Sequence, residues 1–526
     1  MPDDALRRRS FFEQLGFSAT TAEVCREIRG LYLADDTPWV IGYSGGKDST
    51  AVTQLVWLAL AGLAGDERNK KPVYVITTDT LVENPIVAGW VRSSLQALKK
   101  AATESNLPFH PELLEPPPAD SFWVNLIGKG YPAPRPGFRW CTERLKIKPA
   151  SRFIESTASR YGEAILLLGA RKAESAVRSA SLTRREALSK EGLTAHPELV
   201  STLVYAPIQD WSNDDVWTFL MRSANPWGIS NKDLMALYRG ATEDNECPIV
   251  VDTSTPSCGN SRFGCWVCTL VDQDKSMKAM IQNDVDKSWM RPLLEFRNEL
   301  DFRGESQRAK ELERREFRRL HGSPQLNRTG DELVPGPYTQ AARAQWLERL
   351  LNAQMIIRRN PDSPPHVKGI ELITAAELRA IRAIWVNEKH EIEDLLPKIF
   401  ESVTAQRYVE SVEEASVLDI DTLNLLERAA GGDRLHYETL RNLLDVEYQF
   451  RRGGNAIARR GLFKELQSTI ESGFFTDRSD ALAWAKRQGN NVGTLPDDHP
   501  DFRLQQRPER VMDASASFVL GQAHAD

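Results

Sequence analysis

The sequence predicts an α/β domain built on a parallel sheet, followed by a mostly helical half. Three observations carry this. Short apolar runs alternate with helical patterns through the first half, and a glycine-rich loop joins the first run to the helix after it. From about residue 272 the chain turns helical and densely charged. Strands alternating with helices make a parallel sheet covered on both faces. Ligands of such sheets bind beyond the carboxyl ends of the strands.

Taken in order, residues 1–30 read as an N-terminal helical segment containing Cys25. Residues 39–43 are a short apolar strand ending at Ser44-Gly45-Gly46, and residues 49–63 read as a largely buried helix. Residues 73–77 form a second β-rich run, ended by Asp79, and residues 85–99 have helical spacing that puts Trp90 and Leu95 on related faces. Residues 114–119 are a proline-rich break and 128–137 a loop of Gly and Pro. Residues 165–168 make a third buried strand, closed by Gly169. Residues 213–221 look like a helix with Asp214 and Asp215 in the first turn, where the helix dipole favours carboxylates. The predicted nucleotide domain spans 31–270 and includes a cysteine-rich segment, 245–269, with almost no apolar periodicity. A helical, charged domain follows at 271–495, dense in Arg and Glu over 295–320 and amphipathic at 375–385 and 437–443; residues 496–526 read as a poorly ordered tail.

A length of 526 residues allows two or three domains, and 41% hydrophobic with 27% charged residues is ordinary for a folded protein. The formal charge of −6 gives no whole-chain signal for nucleic acid, so a polyanion would need a local basic patch. The N-terminus is charged, with Arg7, Arg8 and Arg9 followed by no long apolar run, so no signal peptide is expected. The most apolar early stretch, 51–64, is too short to span a bilayer. The expected compartment is the cytoplasm, with no membrane partner. The six cysteines are Cys25, Cys141, Cys247, Cys258, Cys265 and Cys268. Their clustering points to metal ligation or redox chemistry rather than a secreted disulfide scaffold.

Ser44-Gly45-Gly46-Lys47-Asp48-Ser49 lies between a strand and a helix. Glycines let the backbone turn its N–H groups inward. The helix start adds unsatisfied N–H groups and a positive dipole end, and Lys47 brings a full charge for phosphate oxygens. The run is not the G-x-x-x-x-G-K-S/T loop of P-loop NTPases, because Asp48 follows the lysine and the upstream spacing fails. The bland alternative is a Gly-Gly turn with a solvated Lys-Asp pair. The S-G-G-K-D-S run in this context resembles the PP-loop ATP-pyrophosphatases, whose loop holds the leaving pyrophosphate.

The resemblance extends to the phosphoadenosine phosphosulfate (PAPS) reductase-like branch of that superfamily. Arg139-Trp140-Cys141-Thr142, followed by Arg144, Lys146, Lys148 and Pro149, is similar to its R-W-C…K-x-x-P segment. Gly169-Ala170-Arg171-Lys172-Ala173-Glu174-Ser175 with Arg178 is similar to its G-x-R-x-x-E-S-x-x-R motif. Pro207, Trp211 and Asp215-Val216-Trp217 are similar to its P…W…D-V-W motif. Two arginines beyond a strand end can clamp phosphates bidentately, which lysine cannot do, and Glu174 can orient one of them; surface ion pairing on a helix is the alternative for Arg171 and Arg178. Asp79 and Glu83 stand where this fold meets the nucleotide or Mg²⁺, unless they only cap the next helix. The resemblance thus implies ATP and Mg²⁺ as cofactors. It assigns catalysis to Ser44, Lys47, Asp48 and Arg171. Nucleotide contacts fall to Ser44–Ser49, Asp79, Glu83, Arg171, Glu174 and Arg178.

Cys265-Trp266-Val267-Cys268, with Cys258 seven positions upstream, has metal-ligand spacing. Zinc takes four ligands in a closed tetrahedral site, and a 4Fe–4S cluster takes four thiolates; thiols without metal are a third reading. The PAPS reductase-like resemblance points to a 4Fe–4S cluster on Cys141, Cys258, Cys265 and Cys268. Cys247 is an alternate ligand or a persulfide carrier.

Four features narrow the resemblance to the DndC family, the PAPS reductase-like sulfurtransferases of bacterial DNA phosphorothioate modification. They are the intact loop, Asp79-Thr80 before Glu83-Asn84-Pro85, the cysteine ladder and the long helical half. That resemblance implies ATP-driven replacement of a non-bridging DNA phosphate oxygen by sulfur. Its implied partners are DNA, a cysteine desulfurase as sulfur donor and the other phosphorothioation proteins. Arg314, Arg315, Arg318 and Arg319, or Arg451, Arg452, Arg459 and Arg460, would supply the basic face, unless they are solvated helix surface. A PAPS or adenylyl-sulfate reductase fits less well, since no cysteine follows Cys268. The tRNA thiolation enzymes are much shorter, and several carry paired C-x-x-C motifs, of which one occurs here. A non-catalytic DNA-binding scaffold would not need an intact loop.

Overall fold

A computed structural model describes residues 10–135, 137–174, 179–180, 182–184, 192–241, 264–303, 305–319, 324–389, 391, 394–409, 420–453, 461–463, 466–467, 469–470, 475 and 477–487. These fall into two compact units. The first contains residues 10–117 and 134–297; the second contains 118–133 and the residues from 298 onward. Among the described residues no helix is long and apolar enough to cross a membrane.

The first unit is organised on a six-stranded sheet: β1 (Trp39–Gly42), β2 (Val73–Thr78), β3 (Phe109–Leu114), β4 (Ala164–Leu167), β5 (Thr194–Ala195) and β6 (Thr202–Tyr205), in the order β3-β2-β1-β4-β6-β5. All pairings are parallel except β5 with β6. The chain runs outward from β1 through β2 to β3, then returns to start β4 on the other side of β1. In register, Trp39 stands beside Val73 and Ile165, and Ile41 beside Val75 and Leu167. The gap between the carboxyl ends of β1 and β4 is therefore the topological switch point, where ligands of open α/β sheets bind.

Burial on both faces explains the continuous apolar runs of β1 and β4. Alternate residues point to opposite layers. Val40 and Leu166 join the cluster under α4 (Lys148–Tyr161), with Ile154 and Ala158. Trp39 instead meets Tyr32 of α1 (Phe17–Ala34) edge-on, ring centroids 5.3 Å apart. The edge strand β3 escapes an apolar reading because His110, Glu112 and Leu113 point out to solvent, and Pro111 is tolerated at an edge. Helix α2 (Lys47–Ala61) carries Thr50, Thr53 and Gln54 fully inside. Two of them use their polar groups: Thr53 Oγ1 donates to Ser49 O at 2.8 Å, and Gln54 Nε2 donates to Ser223 O and Ala224 O. The Cys25 thiol of α1 is buried against Leu55 O, and desolvation raises it above the ordinary thiol range.

Helix α3 (Pro85–Glu104) starts with proline at its first position and Asn84 Oδ1 accepting from Ile86 N. Helix α5 (Asn213–Arg222) has a reciprocal capping box between Ser212 and Asp215. Asp215 also accepts from Ser10 Oγ and Phe11 N, which fastens the N-terminal residues to it. Helices α6 (Asn231–Gly240), α7 (Lys275–Asn283) and α8 (Arg291–Leu300) follow.

The second unit is helical, as the charged, amphipathic pattern implies. It includes α9 (Glu305–Glu313), α10 (Gln340–Arg359), α11 (Ala375–Ala383), α12 (Leu395–Thr404), α13 (Ile420–Ala429), α14 (Arg434–Gly453) and α15 (Arg478–Arg487). Residues 118–133, which the sequence places inside the nucleotide domain, pack here. Phe122, Trp123, Leu126 and Ile127 are buried, Trp123 Nε1 donates to Leu372 O, and Trp385 Nε1 donates to Ile127 O.

The central sheet should tolerate truncation poorly. Leu166→Ala, at a fully buried position of β4, is expected to lower the unfolding free energy by about 2–5 kcal/mol. A urea midpoint equal to that of the parent chain would remove Leu166 from the core.

Candidate functional site

The loop after β1 is shaped by its own residues. Gly45 has φ 72°, and a Cβ there would collide with Val91 Cγ2, so glycine is required. Trp90 Nε1 holds the Gly45 carbonyl at 3.1 Å. Ser44 Oγ lies 3.1 Å from Ser49 Oγ and accepts from Gly46 N at 3.4 Å, while Ser49 Oγ takes the Ser44 N–H at 3.2 Å. The serines thus close the loop over the first turn of α2, whose amino-terminal N–H groups and dipole favour an anion.

Arg171 arrives from the end of β4. Its Nε donates to Asp48 Oδ1 at 2.7 Å, Nη1 reaches Trp211 O at 3.4 Å, and its backbone N donates to Glu174 Oε1 at 3.2 Å. The other Asp48 oxygen takes Lys47 Nζ at 3.0 Å. Burial works to raise the Asp48 carboxyl, but Lys47 and Arg171 outweigh it and hold it below the ordinary carboxylate value. Gly169 permits the crossing: a Cβ there would sit 2.9 Å from the Asp48 carbonyl carbon. The four residues assigned to catalysis, Ser44, Lys47, Asp48 and Arg171, therefore share one crevice.

At the end of β2, Asp79 is 6% exposed and ion-pairs with Arg92 Nη2 at 2.6 Å, while its other oxygen takes the Leu81 N–H. Leu81 has φ 64°, a costly conformation for a bulky residue. Glu83 engages Lys146 Nζ at 3.2 Å and Thr80 Oγ1 at 3.1 Å, and the Cys265 thiol approaches it at 3.7 Å. Its strand-like pairing is also with Cys265. The structure thus sets Asp79 beside α3 and Glu83 among the cysteines.

Cys141 precedes a π-helical turn, Thr142–Ile147, which carries Lys146 toward Glu83. Burial, then the neighbouring Cys268, pushes the Cys141 thiol up to about 12. Cys265 is raised well above its ordinary value by burial and Glu83, and Cys268 is raised by burial. Lys146 works against all three shifts. A bound cation would relieve this mutual disfavour and stabilise thiolates, so the donor chemistry fits a thiolate-held centre. Among the described residues, however, no three His, Cys, Asp or Glu side chains are gathered closely enough to hold a metal ion. Cys247 and Cys258, needed for the expected set, lie outside the described residues, as do Ser175, Arg178, Arg459, Arg460 and the tail from 496.

The arginine cluster of the second unit is engaged internally. Arg315 is buried, pairs with Glu311 Oε1 at 3.2 Å and donates to the carbonyls of Pro335 and Gly336. Arg318 donates to Phe475 O, Arg319 to Pro335 O, and Arg314 lies over the Trp346 ring. Two residues at the crevice were not singled out by sequence: Arg92, and Tyr238 of α6, whose hydroxyl accepts the Lys47 N–H at 3.4 Å. Arg92 lies 13 positions after Asp79 in the early turns of the next helix, a spacing that could have signalled it. Tyr238 comes from a helix with no motif of its own, so nothing local marked it.

Residues 38–270 match the family profile of the phosphoadenosine phosphosulfate reductase domain, and the described residues of this stretch other than 118–133 form a PAPS reductase-like α/β domain. Over 263 residues, 50% of its length, the chain is 24% identical to an uncharacterised protein of Methanocaldococcus jannaschii, and it spans only 42% of that relative. Among solved structures it is similar to the PAPS reductase of Candida auris in a phosphate complex, at 14% identity and TM-score 0.24, covering 40% of this chain and 89% of that one. It is also similar to the U34-tRNA thiolase NcsA of Methanococcus maripaludis with its 4Fe–4S cluster, at 14% identity and TM-score 0.23, covering 42% and 72%.

Two outcomes follow from this geometry. A carboxyl held low in the folded state stabilises above its unfolded value and loses that contribution as pH falls through the folded one. The stability difference between the parent chain and Asp48→Asn is therefore expected to be constant above about pH 5 and to shrink under more acid conditions, as followed by urea unfolding across pH. A pH-independent difference would separate Asp48 from its two cations. In the second unit, Arg315→Ala leaves Glu311 buried without its cation and is expected to cost about 3–5 kcal/mol. Parent-like unfolding combined with lost DNA retention would reassign Arg315 to DNA contact.

Proposed function

We propose that the chain is an ATP pyrophosphatase and sulfurtransferase that activates a DNA backbone phosphate with ATP, releasing AMP and pyrophosphate, for sulfur incorporation. The observation that carries the nucleotide half is the Asp48 carboxylate joining Lys47 to Arg171 across the switch point. Glu174, 4.0 Å from Arg171, balances the second cation, so the attraction for a polyphosphate comes from the loop amides and the amino-terminal N–H groups of α2, with Lys47 and Arg171 held beside them. The DNA half rests on the sequence resemblance to the DndC family: the intact loop, the cysteine ladder and the helical C-terminal half.

In this reading the ATP phosphates lie on Ser44–Ser49, with Asp79 at the end of β2; Mg²⁺, bound with the nucleotide, would screen the phosphate charge. A non-bridging oxygen of the DNA phosphate attacks the α-phosphorus, and the bond to the pyrophosphate breaks. Lys47 and the loop amides stabilise the charge that develops on the leaving group, while Arg171 orients the α-phosphate. A sulfide equivalent then attacks the adenylated DNA phosphorus, and AMP leaves with the displaced oxygen. Cys141, Cys258, Cys265 and Cys268 would hold a 4Fe–4S cluster, with Cys247 as alternate ligand or persulfide carrier. Bound there, the cluster would supply sulfur or redox chemistry. Lys146 and Glu83 set the charge beside those thiols. DNA, a cysteine desulfurase and the other phosphorothioation proteins are the partners this reading requires, in the cytoplasm.

The test is turnover of α-labelled ATP with Mg²⁺ by the anaerobically purified chain, alone and with DNA and a sulfide source. AMP with matching pyrophosphate is expected, and Ser44→Ala with Lys47→Ala should slow it by roughly 10²–10³-fold. Formation of ADP, or a double variant that releases pyrophosphate at the parent rate, would overturn the assignment. AMP formation that depends on RNA instead of DNA would redirect it to tRNA thiolation.

A further inference from the structure

Helix α6 is fixed to α2 at one end and reaches the phosphate loop at the other. At its start, Asn231 Nδ2 donates to Gln54 Oε1 at 3.2 Å, to Leu220 O at 2.8 Å and to Ser223 O at 3.2 Å. Gln54 lies seven residues into α2 from Lys47, and Tyr238 lies seven residues into α6 from Asn231. Seven residues of helix span about 10 Å, so two antiparallel helices joined at Gln54 and Asn231 bring Tyr238 back to Lys47. The ring is held by the buried Trp217, edge to face with centroids 5.2 Å apart. The Lys47 ammonium stands 5.6 Å from the Tyr238 ring centroid, within cation–π range. The hydroxyl lies 3.4 Å from Lys47 N, and a Cβ on Gly46 would come within 3.0 Å of it.

Resting on the phosphate-loop reading above, we propose that Tyr238 is a further substrate-contacting residue, whose hydroxyl donates to a phosphate oxygen of the bound pyrophosphoryl group. A hydroxyl can accept the Lys47 N–H through a lone pair and donate its own proton in another direction. An anion drawn in by the loop amides and Lys47 offers such an acceptor beside the hydroxyl, which already lies 3.4 Å from Lys47 N. Burial first, then Asp48 against the opposing pull of Lys47 and Arg171, keeps the phenol above its ordinary value, so it is a neutral donor at physiological pH. Tyr238 thereby has two tasks: its ring face steadies the ammonium of Lys47, and its hydroxyl completes the ring of donors around the departing pyrophosphate. It selects for the pyrophosphoryl end of the nucleotide rather than for the nucleoside.

Tyr238→Phe keeps the ring, and with it the Trp217 and Lys47 contacts, so its thermal midpoint should match that of the parent chain. Calorimetric titration of the full chain with Mg-pyrophosphate, Mg-ATP and AMP is the test, with Lys47→Ala run beside it. Pyrophosphate and ATP are expected to bind roughly 10- to 100-fold more weakly to Tyr238→Phe, the effect of losing one hydrogen bond to a charged group, and AMP equally well. Unchanged or tighter pyrophosphate binding to Tyr238→Phe, with Lys47→Ala impaired, would overturn the role of Tyr238 alone. An equal loss for AMP would also overturn it, because general distortion of the crevice would then explain the effect. Pyrophosphate affinity unaffected by either substitution would remove the phosphate-loop reading itself.

Discussion

The Asp48 carboxylate is the tie on which the crevice depends. It takes the Lys47 ammonium on one oxygen and the Arg171 guanidinium on the other. One cation comes from the loop after β1, the other from the loop after β4. The pair can meet because those strands are parallel neighbours in register, Trp39 beside Ile165, so both loops emerge at the same end. Gly169 lets the second loop pass the Asp48 backbone so closely that a Cβ there would stand 2.9 Å from the Asp48 carbonyl carbon. Removing the carboxylate would leave two positive groups facing each other over a helix N-terminus that is itself positive, so the anion that belongs to the protein sets the geometry for the anion that does not.

Helix α2 transmits this order to its neighbours. A central helix buried on nearly every side would normally be wholly apolar, yet Thr53 and Gln54 are fully enclosed. A buried amide is favourable only when its hydrogen bonds are made. Gln54 makes them with Ser223 O, Ala224 O and Asn231, which fixes the turn between α5 and α6. The same network that satisfies an awkward polar residue also sets the reach of Tyr238 and the aim of the loop.

A second concentration of unfavourable terms lies at the end of β2. Leu81 adopts a left-handed backbone, Thr80 is fully buried, and Glu83 shares its carboxylate between Lys146 and the Cys265 neighbourhood. The thiols of Cys141, Cys265 and Cys268 are all disfavoured as anions there. Strain and raised thiols persist only where surrounding contacts over-determine them. Here the Glu83–Cys265 pairing, the Trp266 N–H on Val82 O and Arg297 on Cys268 O do so.

Much of the fold was legible because its signals are local. Glycine between an apolar run and a helix marks the loop, and both-face burial leaves continuous β-branched and aliphatic runs in β1, β2 and β4. The charged amphipathic pattern after residue 272 likewise reads as helix from its own spacing. The edge strand β3 was not legible, since half its residues face water and proline interrupts it. Nor could sequence place residues 118–133 with the second unit, because the burial of Phe122 and Trp123 depends on partners some 250 positions away, such as Leu372. At the site, the types and order of Ser44, Lys47, Asp48 and Arg171 were readable as motifs, since a phosphate loop needs them contiguous or at a strand end. Their mutual pairing, the diversion of Glu83 toward Cys265, the internal use of Arg315 and the arrival of Tyr238 were decided by tertiary structure alone. Each is a contact between segments far apart in the chain, and spacing along a sequence carries no information about which distant surfaces a sheet and its helices bring face to face.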